Sequence, residues 1–226
     1  MRVLFFDTET TGLPKGWVNA LTEGIWPDIV SVSWVLCDEK GSILTAEYYI
    51  IKPDGWIIPA EATAIHKVTT DMAHRNGQSL EKVLSRFYET SKYADIMVAH
   101  NLRFDQNTID NALLWRLQNK HVMRYWGKRL FCTMKYGAAL LQLPGNYGKY
   151  KYPKLSELYA HATGKQVDDS ILHNALQDTL VLKECFYRLW SPSHLPDITT
   201  LSDNANGKHP SLTKLVLSLA DPDETV

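Results

Sequence analysis

The sequence predicts an α/β protein in which a mixed sheet, made of three antiparallel strands followed by alternating helices and strands, is flanked by helices. Two observations support this class. Strand-like apolar runs come first, at about 2–7, 29–37 and 43–52, and helical periodicity dominates the later chain. The 226 residues, 45% of them apolar, suffice for one substantial core and for one domain or at most two.

The elements follow in a simple order. An irregular insert from Pro14 to Asp28 follows the first strand, and a turn at 38–41 joins the next two strands as a hairpin. The helix near 107–120 is indicated by Ile109 and Leu113, which begin a four-residue repeat on one face. The later predicted elements are a helix at about 79–93, a strand at 96–99, a helix at about 107–120, a strand near 130–133, and helices at about 134–142 and 175–190.

Asp7 and Glu9 lie two residues apart where the first strand runs into a Thr-Gly turn. Alternate side chains of a strand share a face, so both carboxylates point to one side. Oxygen ligands of this kind suit magnesium or manganese. An Asp-x-Glu pair also occurs by chance on solvated edges, so further ligands are needed to indicate a metal site.

Two later segments supply those ligands. Asp105 follows a short apolar strand and precedes a helical pattern, which predicts a strand-to-helix junction. Asn174 is a predicted helix N-cap, which leaves His173 in the preceding loop and Asp178 in the first helical turn. Residues five apart within a helix diverge by about 140°. A loop position for His173 therefore lets both side chains face one site.

These motifs, in this order, resemble those of the DEDDh 3′–5′ exonucleases, a family that includes the proofreading epsilon subunit of bacterial DNA polymerase III. The resemblance covers about residues 1–190. The third motif, which contains His173 and Asp178, has the His-x4-Asp form, whereas the sister subfamily uses Tyr-x3-Asp. Residues 64–69 and 154–158 also resemble family segments, although Lys67 replaces the usual Gly. The matched catalytic positions are Asp7, Glu9, Asp105, His173 and Asp178.

The resemblance implies a ribonuclease-H-like fold and a two-metal mechanism with two Mg²⁺ or Mn²⁺ ions. Asp7, Glu9 and Asp178 would hold the first ion, and Asp7 would bridge to the second, which Asp105 supports directly or through water. Four bare carboxylates around one point would repel one another and raise their pKa values, so they need bound cations. His173, neutral near pH 7, is suited to take a proton from the attacking water.

Residues 10–13 resemble the site that holds the terminal nucleotide in the family, which would place Leu13 against a base. Gly12 could equally be needed only for the turn. His66 has two open interpretations, a nucleotide contact or a structural hydrogen bond. The predicted substrate-binding residues of this part of the chain are Thr10, Thr11, Gly12, Leu13 and His66.

The segment from Asn111 to Ser156 has no Asp or Glu, although the whole chain has a net charge of −1. Aromatic residues are interleaved with its cations, a mixture that suits phosphates and unpaired bases. A solvated face is the alternative explanation. Gly145–Pro153 is the predicted flexible contact loop, with Lys149, Lys151 and Lys154 as substrate contacts. The cations are Arg116, Lys120, Arg124, Lys128, Arg129, Lys135, Lys149, Lys151 and Lys154.

Composition also bears on location. No apolar run approaches the roughly 18 residues of a membrane helix, and the first strand leaves no room for a signal peptide. Three scattered cysteines indicate reduced core thiols in a cytoplasmic protein. Residues 191–226 are predicted to form a linker-like extension, and the apolar patch at 212–219 either docks back on the 1–190 exonuclease domain or binds a polymerase or another replication protein.

The sequence therefore predicts a metal-dependent 3′–5′ exonuclease that releases nucleoside 5′-monophosphates from single-stranded DNA. An RNA-trimming exonuclease of the same family is the first alternative, because the 2′-hydroxyl is recognised by local contacts. The second alternative is a non-catalytic nucleic-acid-binding module that retains the fold.

Overall fold

A computed structural model describes residues 1–16, 22–118, 126–167 and 174–195. Its centre is a five-stranded sheet in the order β3-β2-β1-β4-β5. The first three strands are antiparallel, and β4 and β5 run parallel to β1. This mixed sheet confirms the predicted fold class. The strands are β1 (Val3–Thr10), β2 (Ile29–Cys37), β3 (Ile43–Ile50), β4 (Ile96–Ala99) and β5 (Arg129–Cys132).

Seven α-helices occur in the part of the chain that the structure describes. They are α1 (Ala60–His66), α2 (Thr70–Asn76), α3 (Leu80–Ser91), α4 (Leu102–Asn111), α5 (Thr133–Leu141), α6 (Leu155–Thr163) and α7 (Ala175–Leu189). A π-helical turn, Ala112–Arg116, continues α4. Helices α3 and α4 cover one face of the sheet, whereas α5, α6 and α7 cover the other.

Strand β1 serves both faces because its side chains alternate. Leu4 and Phe6 pack in the core under α3 and α4, whereas Val3 and Phe5 pack against α7. Continuing this alternation places Asp7 and Glu9 on the α7 side, at the carboxyl end of the strand. The core that anchors β1 therefore also directs its two carboxylates.

Two boundaries differ from the sequence predictions. The helix predicted at about 107–120 begins at Leu102 instead, because Asn101 takes a left-handed backbone conformation (φ 66°) that turns the chain into α4. Asp105 accordingly lies in the first helical turn and not ahead of the helix. Strand β1 runs on to Thr10, so Glu9 is within the strand.

Helices α1 and α2 were not predicted, because each is only seven residues long and shows little periodicity. They form a small satellite core on Val30 through Ala62, Val68 and Ala73. This core lies at the end of β2 that is paired with the end of β1. It therefore lies near the carboxyl end of β1.

The chain after α7 remains packed for a few residues, with Trp190 and Leu195 buried against the α7-side core. Residues 196–226 lie outside the described part of the chain, so the extension at 191–226 stays a prediction. The three cysteines are buried free thiols. Among the described helices, none has the length and apolarity that a bilayer crossing requires.

Candidate active site

Asp7, Glu9 and Asp178 converge at the carboxyl end of β1, as the sequence predicted. One carboxylate oxygen from each lies within 4.8 Å of the others, and all three residues are half-buried. Asp178 reaches this point from the first turn of α7. Asn174 caps that turn, since its side-chain oxygen accepts hydrogen bonds from the backbone N–H groups of Leu176 (3.1 Å) and Gln177 (3.4 Å).

Asp105 lies beside this group of three and is held differently. It is buried, and its Oδ1 accepts hydrogen bonds from the Thr8 backbone N–H (3.0 Å) and the Thr8 hydroxyl (2.8 Å). Thr8 is the residue between Asp7 and Glu9, so one strand supplies two carboxylates and the groups that orient a third. The negative charge of Asp105 nevertheless raises the pKa values of Asp7 and Glu9.

The electrostatics of the site oppose its full ionisation. Burial, then the charges of Asp105, Glu9 and Asp178, raise the pKa of Asp7 well above its ordinary value. Burial, followed by the charges of Asp178 and Asp105, raises the pKa of Glu9 to about 8. Burial raises the pKa of Asp105 to about 7 although the Thr8 hydrogen bonds oppose the increase. Bound cations would remove this repulsion, and an all-oxygen donor set suits a hard divalent ion.

His173 lies outside the described residues, so its predicted role stays a prediction. The residue that follows it, Asn174, is the N-cap of α7, as the sequence predicted. The helix thus begins at the place that puts Asp178 in its first turn. The predicted role of His173 depends on this start of α7.

The turn after β1 is held by its own threonines. The Thr10 hydroxyl donates to the Gly12 carbonyl oxygen (2.7 Å), and the Thr11 hydroxyl accepts from the Asp28 backbone N–H (3.0 Å). Gly12 has a φ of 149°, which side chains rarely adopt, so the turn itself requires glycine. Leu13 is 77% exposed beyond the turn. It is available for contact, whereas both threonine hydroxyls are already engaged.

His66 makes a structural hydrogen bond, which was one of its two open interpretations. It is buried, and its Nδ1 accepts from the Val68 backbone N–H (3.2 Å). Burial lowers the pKa of its imidazole, although the neighbouring Thr10 backbone opposes the decrease. The ring therefore sits neutral beside the end of β1, and a nucleotide contact stays a prediction.

His100 and Asn101 lie in the turn between β4 and α4. The His100 ring nitrogens contact the Thr133 hydroxyl and the Pro153 carbonyl oxygen, both at 3.0 Å. Burial lowers the pKa of His100 to about 4, so the ring is neutral at physiological pH. These contacts join β4 to α5 and to the segment before α6.

The basic segment is less uniform than its sequence indicates. The Arg116 guanidinium binds both carboxylate oxygens of Asp28 (2.8 and 2.9 Å), and Lys151 pairs with Glu157. Tyr136 is a core residue stacked on Phe131. Residues 119–125 of the segment, which include Lys120, Arg124 and Tyr125, lie outside the described residues.

The Gly145–Pro153 loop is hydrogen-bonded, which does not support its predicted flexibility. Pro144 and Tyr150 form an antiparallel bridge, and the Lys151 backbone N–H donates to the Leu143 carbonyl oxygen (3.0 Å). Gly145 permits this closure, because a Cβ there would lie 2.5 Å from the Lys149 carbonyl oxygen. The result is a folded loop whose Tyr147 is 99% exposed.

Sequence reasoning missed several residues around the carboxylates. Thr8 binds Asp105, and its position between Asp7 and Glu9 was the available signal. Tyr48 of β3 lies near Glu9, whose charge adds to burial in raising the pKa of the Tyr48 hydroxyl. No local pattern marks Tyr48, because cross-strand register alone brings it there.

The ribonuclease-H-like sheet and its four acidic side chains, from the end of β1 and the first turns of α4 and α7, define a nuclease of the class that uses carboxylates to bind divalent metal ions. A family model described as Exonuclease (RNase_T) matches residues 4–186. The chain belongs to this family of DEDD-type 3′–5′ exonucleases, and it is a phosphodiester hydrolase that acts on nucleic acid.

Individual relatives agree with this assignment. An uncharacterized exonuclease, CP81, of Escherichia phage 186 is 32% identical over 179 residues, which are 77% of this chain and 81% of that protein. A DNA polymerase III subunit epsilon-like protein of Rhodobacter capsulatus is 26% identical over 196 residues. That match covers 86% of this chain and only 24% of the relative.

Solved structures of exonuclease I show the same fold. One superposes with a TM-score of 0.63 at 18% identity, covering 80% of this chain and 39% of that one. The E. coli enzyme in complex with a dA16 oligonucleotide gives a TM-score of 0.62 at 18% identity, over 80% of this chain and 39% of that enzyme. The present chain thus spans well under half of exonuclease I.

Proposed function

We propose that this protein hydrolyses terminal phosphodiesters at the 3′-ends of single-stranded DNA and releases nucleoside 5′-monophosphates. The observation that carries the proposal is the convergence of Asp7, Glu9 and Asp178 within 4.8 Å, with Asp105 beside them. These are the acidic positions of the family motif.

The four carboxylates have distinct roles in this proposal. Asp7, Glu9 and Asp178 would hold one Mg²⁺ or Mn²⁺ ion. Asp7 and Asp105, whose Oδ1 accepts from Thr8, would serve a second ion, Asp105 either directly or through water. Two bound ions would activate the attacking water and stabilise the leaving 3′-oxygen.

His173 is the proposed general base. It directly precedes the N-cap of α7 and lies five residues before Asp178 in the sequence. A neutral imidazole near this site can accept the proton of the attacking water, and removal of such a base reduces rates by roughly 10²–10⁴-fold.

Substrate contacts follow from exposure. Leu13 is the proposed contact for the terminal base, on a turn made by Thr10, Thr11 and Gly12 with His66 behind it. Lys149 and Lys154 are the proposed phosphate contacts. Lys151 is a further proposed contact, once it leaves its ion pair with Glu157. The exposed Tyr147 ring adds a surface on which an unpaired base can stack.

The choice of DNA is supported by exonuclease I, whose solved structures include complexes with dA16 and dT13 oligonucleotides. RNA trimming is the alternative substrate, and a non-catalytic binding module is the alternative class. The Rhodobacter relative motivates a further proposal, that residues 191–226 bind a polymerase or another replication protein.

The test uses matched single-stranded DNA and RNA oligonucleotides labelled at the 5′-end, incubated with Mg²⁺ or Mn²⁺. We expect a ladder that shortens from the 3′-end, faster on DNA, and absent with EDTA or with Asp178→Ala. A faster ladder on RNA would replace the DNA assignment. Binding without cleavage of either strand under both metals would favour the non-catalytic module.

A further inference from the structure

A buried pair of hydroxyls joins β2 to the first turn of α7. Ser33 Oγ donates to the Ala175 carbonyl oxygen (2.5 Å) and contacts the Thr179 hydroxyl, which also lies 2.7 Å from the same carbonyl oxygen. Both Ser33 and Thr179 are fully buried. Each hydroxyl has one proton to donate, so two of these three contacts can be hydrogen bonds at any one time.

This hydroxyl pair lies directly behind the acidic cluster. Ser33 is the cross-strand partner of Asp7 in the β1–β2 register, so the two side chains lie on one face of the sheet. Ala175 and Thr179 flank Asp178 in the first turns of α7. The hydrogen bonds therefore connect the neighbour of one carboxylate to the helical turn that carries another.

The rest of the described α7 interface is largely apolar, and its other polar contact is at the far end of the helix, where the Tyr187 hydroxyl donates to the Asp38 carbonyl oxygen (2.6 Å). Leu182, Cys185 and Phe186 pack against Val3, Phe5 and Val35 of the sheet. Apolar contacts of this kind are non-directional, whereas a hydrogen bond constrains both distance and angle. Replacing both buried hydroxyls by apolar groups of the same shape can be nearly neutral for stability. Stability alone therefore gives little reason for a buried hydroxyl pair under the first turn of α7.

We propose that Ser33 and Thr179 are positioning residues that set the distance between Asp178 and the β1 carboxylates, and so set the affinity of the site for divalent metal. The inference rests on the proposed metal-dependent function. Neither residue touches the substrate or the metal. Their effect passes through the placement of the first turn of α7.

The experiment compares direct Mn²⁺ binding, measured by calorimetry without nucleic acid, with thermal stability in EDTA. Thr179→Val preserves volume and removes the hydroxyl, whereas Thr179→Ser retains the hydroxyl. Cys185→Ala is the matched control, because it loosens the same helix two turns further on without touching the hydroxyl pair. Ser33→Ala is the second test variant and serves also if Thr179→Val does not fold.

We expect Thr179→Val and Ser33→Ala to weaken Mn²⁺ binding by up to about 10-fold, the lower end of the range for residues that orient metal ligands. Thr179→Ser should recover wild-type affinity, and Cys185→Ala should lower the melting temperature with no change in affinity. The double variant should bind little worse than either single variant, because the two hydroxyls act as one unit.

Wild-type Mn²⁺ affinity in both Thr179→Val and Ser33→Ala would overturn the inference. The same loss of affinity in Cys185→Ala would also overturn it, since general loosening of α7 would then explain the effect. If the wild-type protein degrades oligonucleotides while the variants retain its affinity, only this inference fails. If the wild-type protein neither binds Mn²⁺ nor cleaves, the proposed function fails with it.

Discussion

The acidic cluster and the basic segment are both patterns of charge in the sequence, but their side chains are arranged differently in the folded chain. Asp7, Glu9 and Asp178 arrive from two elements at one point and raise one another's pKa values or those of their neighbours. Among the described cations between Asn111 and Ser156, Arg116 and Lys151 form ion pairs with carboxylates of the protein itself.

The physical difference is the reach of the side chains and what holds them. A carboxylate on a short stem stays where its backbone puts it, and here the backbone is a central strand or a capped helix turn. Lys and Arg have long flexible stems and move to the nearest acceptor. A cluster of short acids therefore predicts a site better than a run of long cations does.

The largest expected effect contrasts two acids, one inside and one outside the cluster. Asp178→Asn should reduce turnover by at least roughly 10³-fold, the scale on which a lost electrostatic contribution slows a reaction. Asp110→Asn is the control, because an amide oxygen can still accept the hydrogen bond from Trp126 Nε1, which is 2.6 Å long. Single-turnover rates on a labelled oligonucleotide check both. Full activity in Asp178→Asn would refute the metal site.

The next effect tests the proposed base that completes the acidic cluster. His173→Ala should reduce the rate by roughly 10²–10⁴-fold while oligonucleotide binding survives. His161→Ala, which changes an imidazole on the exposed side of α6, should do neither. The measurement pairs single-turnover rates with fluorescence anisotropy. A variant that loses binding but retains its rate per bound substrate would show that His173 has another role.

A smaller effect distinguishes the proposed phosphate contacts of the basic segment from a cation that forms an ion pair within the protein. Lys149→Ala and Lys154→Ala should each reduce the slope of log binding constant against log salt by about 0.7, the value for one phosphate contact on a single strand. Arg116→Ala should leave the slope unchanged, because its guanidinium already binds Asp28. Equilibrium binding of catalytically inactive protein at several salt concentrations measures this. Equal slopes for all variants would make the segment a solvated face.

The smallest effect concerns stability without metal. The pKa of Glu9 is raised to about 8 in the folded protein, so the folded state holds its proton more tightly than the unfolded chain. Stability in EDTA should therefore be greatest below the unfolded pKa of Glu9 and fall as pH rises toward about 8. Each kcal/mol lost corresponds to about 2–4 °C in melting temperature for a domain of this size.

Thermal scans at several pH values, with EDTA or with Mn²⁺, check this prediction. Mn²⁺ should reduce the loss of stability as pH rises, because bound cations offset the repulsion among the carboxylates. Glu9→Gln should reduce it as well, since an amide does not ionise. Stability that rises with pH in EDTA would contradict the electrostatic account of the cluster.

Much of the site could be predicted because its signals are local. Strand alternation places Asp7 and Glu9 on one face, and the capping preference of Asn174 locates the start of α7 and hence Asp178. The five predicted strands and the long helices likewise follow from short-range periodicity. Their ends were less certain, as the early start of α4 at Leu102 shows.

Spacing along the chain thus specified that Asp7 and Glu9 share a face and that Asp178 lies in the first turn of a helix, since pleat and helix geometry act over a few residues. The family resemblance implied that these acids and Asp105 form one site. The folded arrangement specified how they are held: Thr8 binds Asp105 across 97 residues, and Ser33 meets Thr179 across 146. It also specified which cations are neutralised, as with Arg116 and Asp28. Such pairings depend on sheet register and helix docking, which bring distant residues together and leave no periodic trace in the sequence.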